Sequence, residues 1–220
     1  MARPSRLSRI SRHVSKRSEG CAARFHNNGS LILGEGCSFR RFWHDTPSTQ
    51  NTVASLVYFG SKRTIRVWNI YRILKVDLVW KWLCPLACLI YGYLPARQLR
   101  IGSDSETAKS YRQSAAWVKN DAWVDSDDGF DYAEALKNIS LPPIWYIAAQ
   151  NDHALGHPRD VQDFMASTGG QKCRYTLLSR ADGNWHNYDH ISMLTHPDAV
   201  DDHFPHLLEW LRQHNQKQGA

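Results

Sequence analysis

The chain has 220 residues, 42% hydrophobic and 22% charged with nine Trp, which is enough for one packed domain and excludes a disordered or collagen-like polymer. Five Cys without a repeating spacing exclude a disulfide framework as the main organiser. The formal charge of +6 sits entirely in residues 1–50, and residues 51–220 carry equal numbers of acids and bases, so the globular part gives no electrostatic reason to bind nucleic acid.

Residues 1–50 show no sustained hydrophobic period. Arg3, Arg6, Arg9, Arg12, Lys16 and Arg17 alternate with Ser and meet a single acid, Glu19. This segment reads as a poorly ordered, solvated basic tail, and no element is expected in it. Its Arg- and Ser-rich, acid-poor start is also that of a transit peptide or a phosphate-binding arm. No apolar stretch follows the basic start, so a secretory signal is not expected, and the location reads as cytoplasmic.

From residue 52 the texture changes. Leu56-Val57-Tyr58-Phe59-Gly60, Ile144-Trp145-Tyr146-Ile147-Ala148-Ala149 and Arg174-Tyr175-Thr176-Leu177-Leu178 are short apolar runs, the mark of buried parallel strands. Between the last two, Val161, Phe164 and Met165 fall at helical spacing after Pro158, with Gly169-Gly170 as the stop. A closing helix is expected from about Pro197 to Gln213, with Val200, Phe204, Leu207, Leu208 and Leu211 on one face and Asp198, Asp201 and Asp202 in its first turn. Strand, helix, strand, helix argues for an α/β domain over residues 51–220, with about three parallel strands. Residues 61–138 form an insertion. Its apolar stretch Ile73–Leu94 is interrupted by Lys75, Asp77, Lys81 and Pro85, so it reads as an amphipathic helix packed on the sheet, with membrane association as the minor alternative. Cys84 and Cys88, one turn apart, read as core thiols.

The chemistry gathers after two strand ends. Asp152 directly follows the second strand, where parallel sheets place ligands and catalysts. His190 and His186 lie in the polar loop after the third strand. A strand-end Asp followed by a loop His is the latter part of a nucleophile–acid–His order, in which the acid fixes the imidazole tautomer and the imidazole shuttles a proton. His186 is the reserve base, and Asp189 is a rival to Asp152 for orienting His190. Asp152 could also serve only as a turn cap. The pairs His186/His190 and His153/His157 are each four apart, but no helix holds them on one face and no metal site is expected. No phosphate or dinucleotide motif appears, and no cofactor is expected.

These segments, with Asp189-His190-Ile191-Ser192-Met193-Leu194 and the closing Phe204-Pro205-His206-Leu207-Leu208-Glu209-Trp210-Leu211, resemble the C-terminal part of an α/β-hydrolase of the esterase/lipase type. The resemblance implies a Ser-Asp-His triad whose acid and base are Asp152 and His190, a helical cap over residues 61–138, and an acyl-ester-type substrate. The family's nucleophile elbow, G-x-S-x-G, is absent; the nearest approach is Gly36-Cys37-Ser38-Phe39-Arg40, with Arg40 in place of the second Gly. Ser38 is therefore the reserve nucleophile, the first residue to test in that role. Leu31–Gly36 can be encoded CTC ATT CTT GGG GAG GGT, which in a shifted frame reads His-Ser-Trp-Gly-Gly, the heart of an elbow. Two functions compete: a catalytically incomplete hydrolase, and a non-enzymatic protein that uses its basic arm on nucleic acid or anionic membrane. An uncovered sheet edge and face are expected to promote self-association unless residues 1–50 cover them.

Overall fold

A computed structural model describes residues 23–25, 31–33, 53–99, 105–119, 122–125, 128–137, 139–168 and 172–215. Each expected strand forms: β3 (Leu56–Phe59), β6 (Ile144–Ala149) and β7 (Cys173–Leu178), in that order across the sheet and all parallel. The six residues of β6 are all buried because helices and loops cover both sheet faces, which is why this stretch carries no polar alternation.

The sheet also takes two short strands from the segment read as a tail. In β1 (Ala23–Phe25) and β2 (Leu31–Leu33), β1 runs antiparallel to β2, and β2 pairs in parallel with β3. Three apolar residues at Leu31-Ile32-Leu33 are too few to register as a period in sequence but enough to extend an existing sheet edge.

On one face, Tyr58, Tyr146 and Ala148 pack with Trp123, Tyr132, Val161 and Phe164. Val161 and Phe164 come from α5 (Pro158–Ser167), the crossover between β6 and β7. Pro158 opens α5 and the His157 side chain accepts the Arg159 N–H as its N-cap. The helix ends at Ser167, and Gly169-Gly170 lie outside the described residues. On the other face, Val57, Phe59, Trp145, Ile147 and Ala149 meet Leu178, Tyr188, Met193, Trp210 and Leu211. Each such aliphatic or aromatic side chain, fully buried, contributes about 1.5–3 kcal/mol.

The closing helix is shorter than the spacing predicts. Pro197–Val200 is a 3-10 turn, and α7 begins afresh at Phe204–Asn215. Pro205 lacks the N–H that an interior helix position needs and fits only a first turn, so one continuous helix from 197 is excluded. Val200 consequently points to solvent, while Trp210 and Leu211 make the contact with the sheet.

Between β3 and β6 the chain is helical, in α1 (Ile70–Arg72), a wider π-helical stretch (Ile73–Leu83) and α2 (Cys84–Tyr91). It continues through β4 (Tyr93–Leu94) and β5 (Glu106–Thr107) to α3 (Ala108–Lys119) and α4 (Tyr132–Lys137). The apolar stretch 73–94 packs into a cluster apart from the sheet rather than on it as expected, whereas Trp123 and Tyr132 of the same insertion join the sheet core. Cys84, Ala87, Leu94, Ala96 and Tyr111 form their own small core, with the free thiols of Cys84 and Cys88 inside it. Burial pushes the Cys84 thiol up to about 11, so it packs as an inert apolar group. Leu74, Leu78, Trp82, Leu86, Leu89 and Ile90 are left exposed, Leu89 to 82%. Among the described residues no helix is long and apolar enough to cross a membrane.

Candidate active site

β6 ends at Ala149, and its ladder continues past the strand. Asn151 donates its backbone N–H to Tyr188 O at 2.8 Å and its side-chain amide to Asn187 O at 2.9 Å. These two bonds bring the loop after β7 against the strand end that carries Asp152. The loop itself is built on Asp202, whose carboxylate accepts from Tyr188 Oη at 2.8 Å, Trp185 N at 3.2 Å and Asn184 Nδ2 at 3.2 Å. Burial raises the Asp202 carboxyl, but the Tyr188 hydroxyl, Asn184 and Trp185 outweigh it and the net shift is downward. His203, buried under the same loop, holds Met193 O at 2.7 Å.

Asp152 and His190 therefore meet. Asp152 Oδ2 lies 2.6 Å from His190 Nδ1; the acid is 3% exposed and the imidazole 33%. An ionised carboxylate only accepts, so Nδ1 carries a proton, and in the neutral imidazole Nε2 then keeps its lone pair. Among the described residues Nε2 has no hydrogen-bond partner. Asp152 Oδ1 also accepts Leu155 N at 3.0 Å, so the turn-capping role and the imidazole-orienting role coexist on one side chain. Burial pushes the Asp152 carboxyl up, yet the His190 bond and charge and the Gly156 and Leu155 amides bring it below its ordinary value. It stays an anion at neutral pH, which is the state that stabilises a protonated imidazole.

Two glycines make this meeting sterically feasible. Gly60, at the end of β3 with φ +56°, would place a Cβ 2.8 Å from Met193 Cε and 2.9 Å from His190 Nδ1. A Cβ on Gly156 would stand 2.4 Å from Gly60 O and 2.7 Å from Asp152 Oδ2. Gly60 was visible in sequence only as a strand terminator, and Gly156 carried no signal. Asp160 was also missed. It is buried on α5 and accepts Arg66 N at 3.0 Å, pinning the start of the insertion; burial raises its carboxyl.

The other candidates separate from this pair. Asp189 does not orient His190: its Oδ1 accepts Ile191 N and Ser192 N at 3.0 and 2.7 Å, closing the turn that leads into α6 (Ser192–Thr195). His186, the reserve base, pairs with Asp198 at 2.6 Å instead of Asp152. His153 stacks on Tyr71 and His157 caps α5, so neither joins a metal site with Asp152. Ser38 lies outside the described residues. A cleft of about 610 Å³ beside β7 is lined by Trp145, Arg174, Thr176, Asn184, Asp202 and His206 among others, but by neither Asp152 nor His190.

Parallel strands, a buried strand-end acid and a loop histidine at hydrogen-bond distance are now all in place. The fold is α/β, a mainly parallel sheet with helices on both faces. The chain matches no protein-family model and no curated protein. Solved structures similar to it include an esterase from Thermogutta terrifontis, at 12% identity and TM-score 0.43, covering 95% of this chain and 70% of that one. A monoacylglycerol lipase from Paleococcus ferrophilus aligns at 9% identity and TM-score 0.46, covering 94% and 74%. A hydrolase from Oleispira antarctica aligns at 11% identity and TM-score 0.46, covering 82% and 64%. The chain spans 66% and 64% of the length of two Mycobacterium tuberculosis chains that it also matches.

Proposed function

We propose that this protein carries the acid–base half of a carboxylic-ester hydrolase site, with Asp152 as the orienting acid and His190 as the base, and that the chain alone does not turn over acyl esters. The observation that carries the reading is the 2.6 Å contact between a buried, ionised Asp152 and His190 Nδ1, which leaves Nε2 able to take a proton. In a complete site Nε2 would accept the proton of a serine hydroxyl and return it to the leaving alcohol. The sequence holds no G-x-S-x-G to supply that serine. β2 is the parallel neighbour of β3 on the side where such a strand-to-helix turn would arise, and Gly34-Glu35-Gly36-Cys37-Ser38 follows it in sequence. Without an activated nucleophile, an acid–histidine pair performs no covalent acyl transfer.

The test is hydrolysis of p-nitrophenyl acetate and butyrate with a fluorophosphonate probe in parallel. We expect neither turnover above the imidazole background nor labelling. Turnover lost in both the His190→Ala and Ser38→Ala variants would overturn the inactivity and make Ser38 the nucleophile. Turnover unaffected by His190→Ala would remove the Asp152–His190 assignment. A second reading, binding of nucleic acid or anionic membrane through residues 1–50, is favoured by the confinement of all excess charge to that segment. Deletion of residues 1–20 would abolish such binding, which would weaken steeply with salt; binding that survives the deletion removes this reading.

A further inference from the structure

His186, His196 and Asp198 converge outside the Asp152–His190 pair, and we propose that they form a site for a divalent late transition metal, zinc in the first instance. One nitrogen from each imidazole and one carboxylate oxygen lie within 4.8 Å of one another. His186 Nε2 stands 2.6 Å from Asp198 Oδ2, His196 Nδ1 stands 3.8 Å from the same oxygen, and the two imidazole centroids are 4.3 Å apart. The two segments that supply them are joined through Asp202, which also donates its own N–H to Asp198 O at 2.9 Å. His186 follows Trp185, whose N–H is bound by Asp202, and His196 precedes Pro197 at the start of the 3-10 turn that carries Asp198. Tyr188, itself buried, meets both imidazoles in T-shaped contacts, at 5.6 and 5.7 Å, and backs the cluster from the core side. All three ligands are partly exposed, so an aquated ion reaches them and keeps water in its remaining position.

The donor set selects the metal. Two imidazoles and one carboxylate suit zinc, copper, nickel or cobalt and offer too few oxygens for calcium or magnesium. At bond lengths of about 2.0–2.2 Å, neighbouring donors around a tetrahedral zinc stand about 3.4 Å apart. The His186–Asp198 contact opens by about 0.8 Å to reach that geometry while His196 swings inward. Binding is an exchange: the ion takes the place of the proton between His186 Nε2 and Asp198, and that proton passes through solvent to Nδ1, because a ligating neutral imidazole keeps one N–H. The lone pair of His196 Nδ1 now accepts the Asp198 N–H, so ligation through Nδ1 releases that cap. The ion would tie the loop that carries His190 to the turn at 197–200. This site stands whether or not the hydrolase reading does.

The experiment titrates the full chain, stripped with a chelator and exchanged into clean buffer, with zinc by calorimetry and with cobalt by visible absorption. The expected result for the wild type is one site with nitrogen and oxygen ligands, shown by tetrahedral cobalt bands without a thiolate-to-cobalt charge-transfer band, and a thermal midpoint raised by zinc. His196→Asn keeps a side-chain acceptor for the cap and removes the ligand; it and Asp198→Asn should each weaken affinity tenfold or more while the apo midpoint stays near wild type. His153→Ala should leave affinity unchanged. Equal zinc affinity in wild type, His196→Asn and Asp198→Asn overturns the proposal, as does absence of the cobalt bands in the wild type.

Discussion

Gly156→Ala probes the packing that lets acid and base meet. The added Cβ would lie 2.4 Å from Gly60 O and 2.8 Å from Gly60 Cα, both backbone atoms, and 2.7 Å from Asp152 Oδ2. Carbon contacts settle at about 3.5–4.0 Å, so the loop after Asp152 and the end of β3 must part by about 1 Å. Overpacking usually costs about 1–3 kcal/mol, and with two of the three contacts on backbone atoms the upper end applies, about 3 kcal/mol. With a urea slope of about 2 kcal/mol/M, the midpoint falls by roughly 1.5 M. Gly129→Ala is the control. Its φ of +74° imposes the left-handed penalty of about 1–2 kcal/mol, but nothing lies within 4 Å of the added methyl. Urea unfolding followed by far-UV circular dichroism measures both, and the downfield His190 Nδ1 proton resonance reports whether the pair survives. A Gly156→Ala midpoint no lower than that of Gly129→Ala would refute the packing argument.

Asp152→Asn should cost about 1–3 kcal/mol at pH 7 through the weakened His190 bond. Because the folded Asp152 carboxyl lies below its ordinary 3.8, its contribution is present above about pH 4 and fades as pH falls through the folded value; urea midpoints of wild type and variant should converge below pH 4. Tyr188→Phe removes a buried hydroxyl from Asp202 and should destabilise by about 1.5–3 kcal/mol, read by urea unfolding, with broadening of the His190 resonance as its loop loosens. The apolar surface on the insertion should drive concentration-dependent self-association in sedimentation velocity, and Leu89→Glu with Trp82→Glu should shift the distribution to monomer without lowering the thermal midpoint. Nucleotide sequence across codons 20–55 should read His-Ser-Trp-Gly-Gly in a shifted frame if residues 1–50 derive from a displaced reading frame; its absence from all frames removes that origin.

The three central strands and the Asp152–His190 pair were legible because each rests on a local signal. Continuous apolar runs imply strands buried on both faces, and the residues just past their carboxyl ends sit where parallel sheets gather chemistry. What escaped depends on distance in the chain. Gly156 matters only because Gly60 and Asp152 lie against it, a fact of packing that no local pattern encodes. Asp189 looked as suitable as Asp152 for holding His190, and it was disqualified by an equally ordinary task, capping the turn at 192. His186 was matched with His190 by a helical interval, whereas a loop brings it to His196 and Asp198. The break before Phe204 was readable in Pro205, yet the apolar spacing across it suggested one continuous helix.

Asn151 gives the pair a mechanical character. Its two bonds to Asn187 and Tyr188 make the histidine-bearing loop a continuation of the β6–β7 ladder. Acid and base are thus fastened to one another through the backbone on either side, and the two side chains ride on a shared brace. A fluctuation that carries His190 away must first shear those rungs. The amide of Asn151 should therefore exchange its hydrogen at the pace of the sheet interior, and that rate times how long the proton-transfer geometry persists.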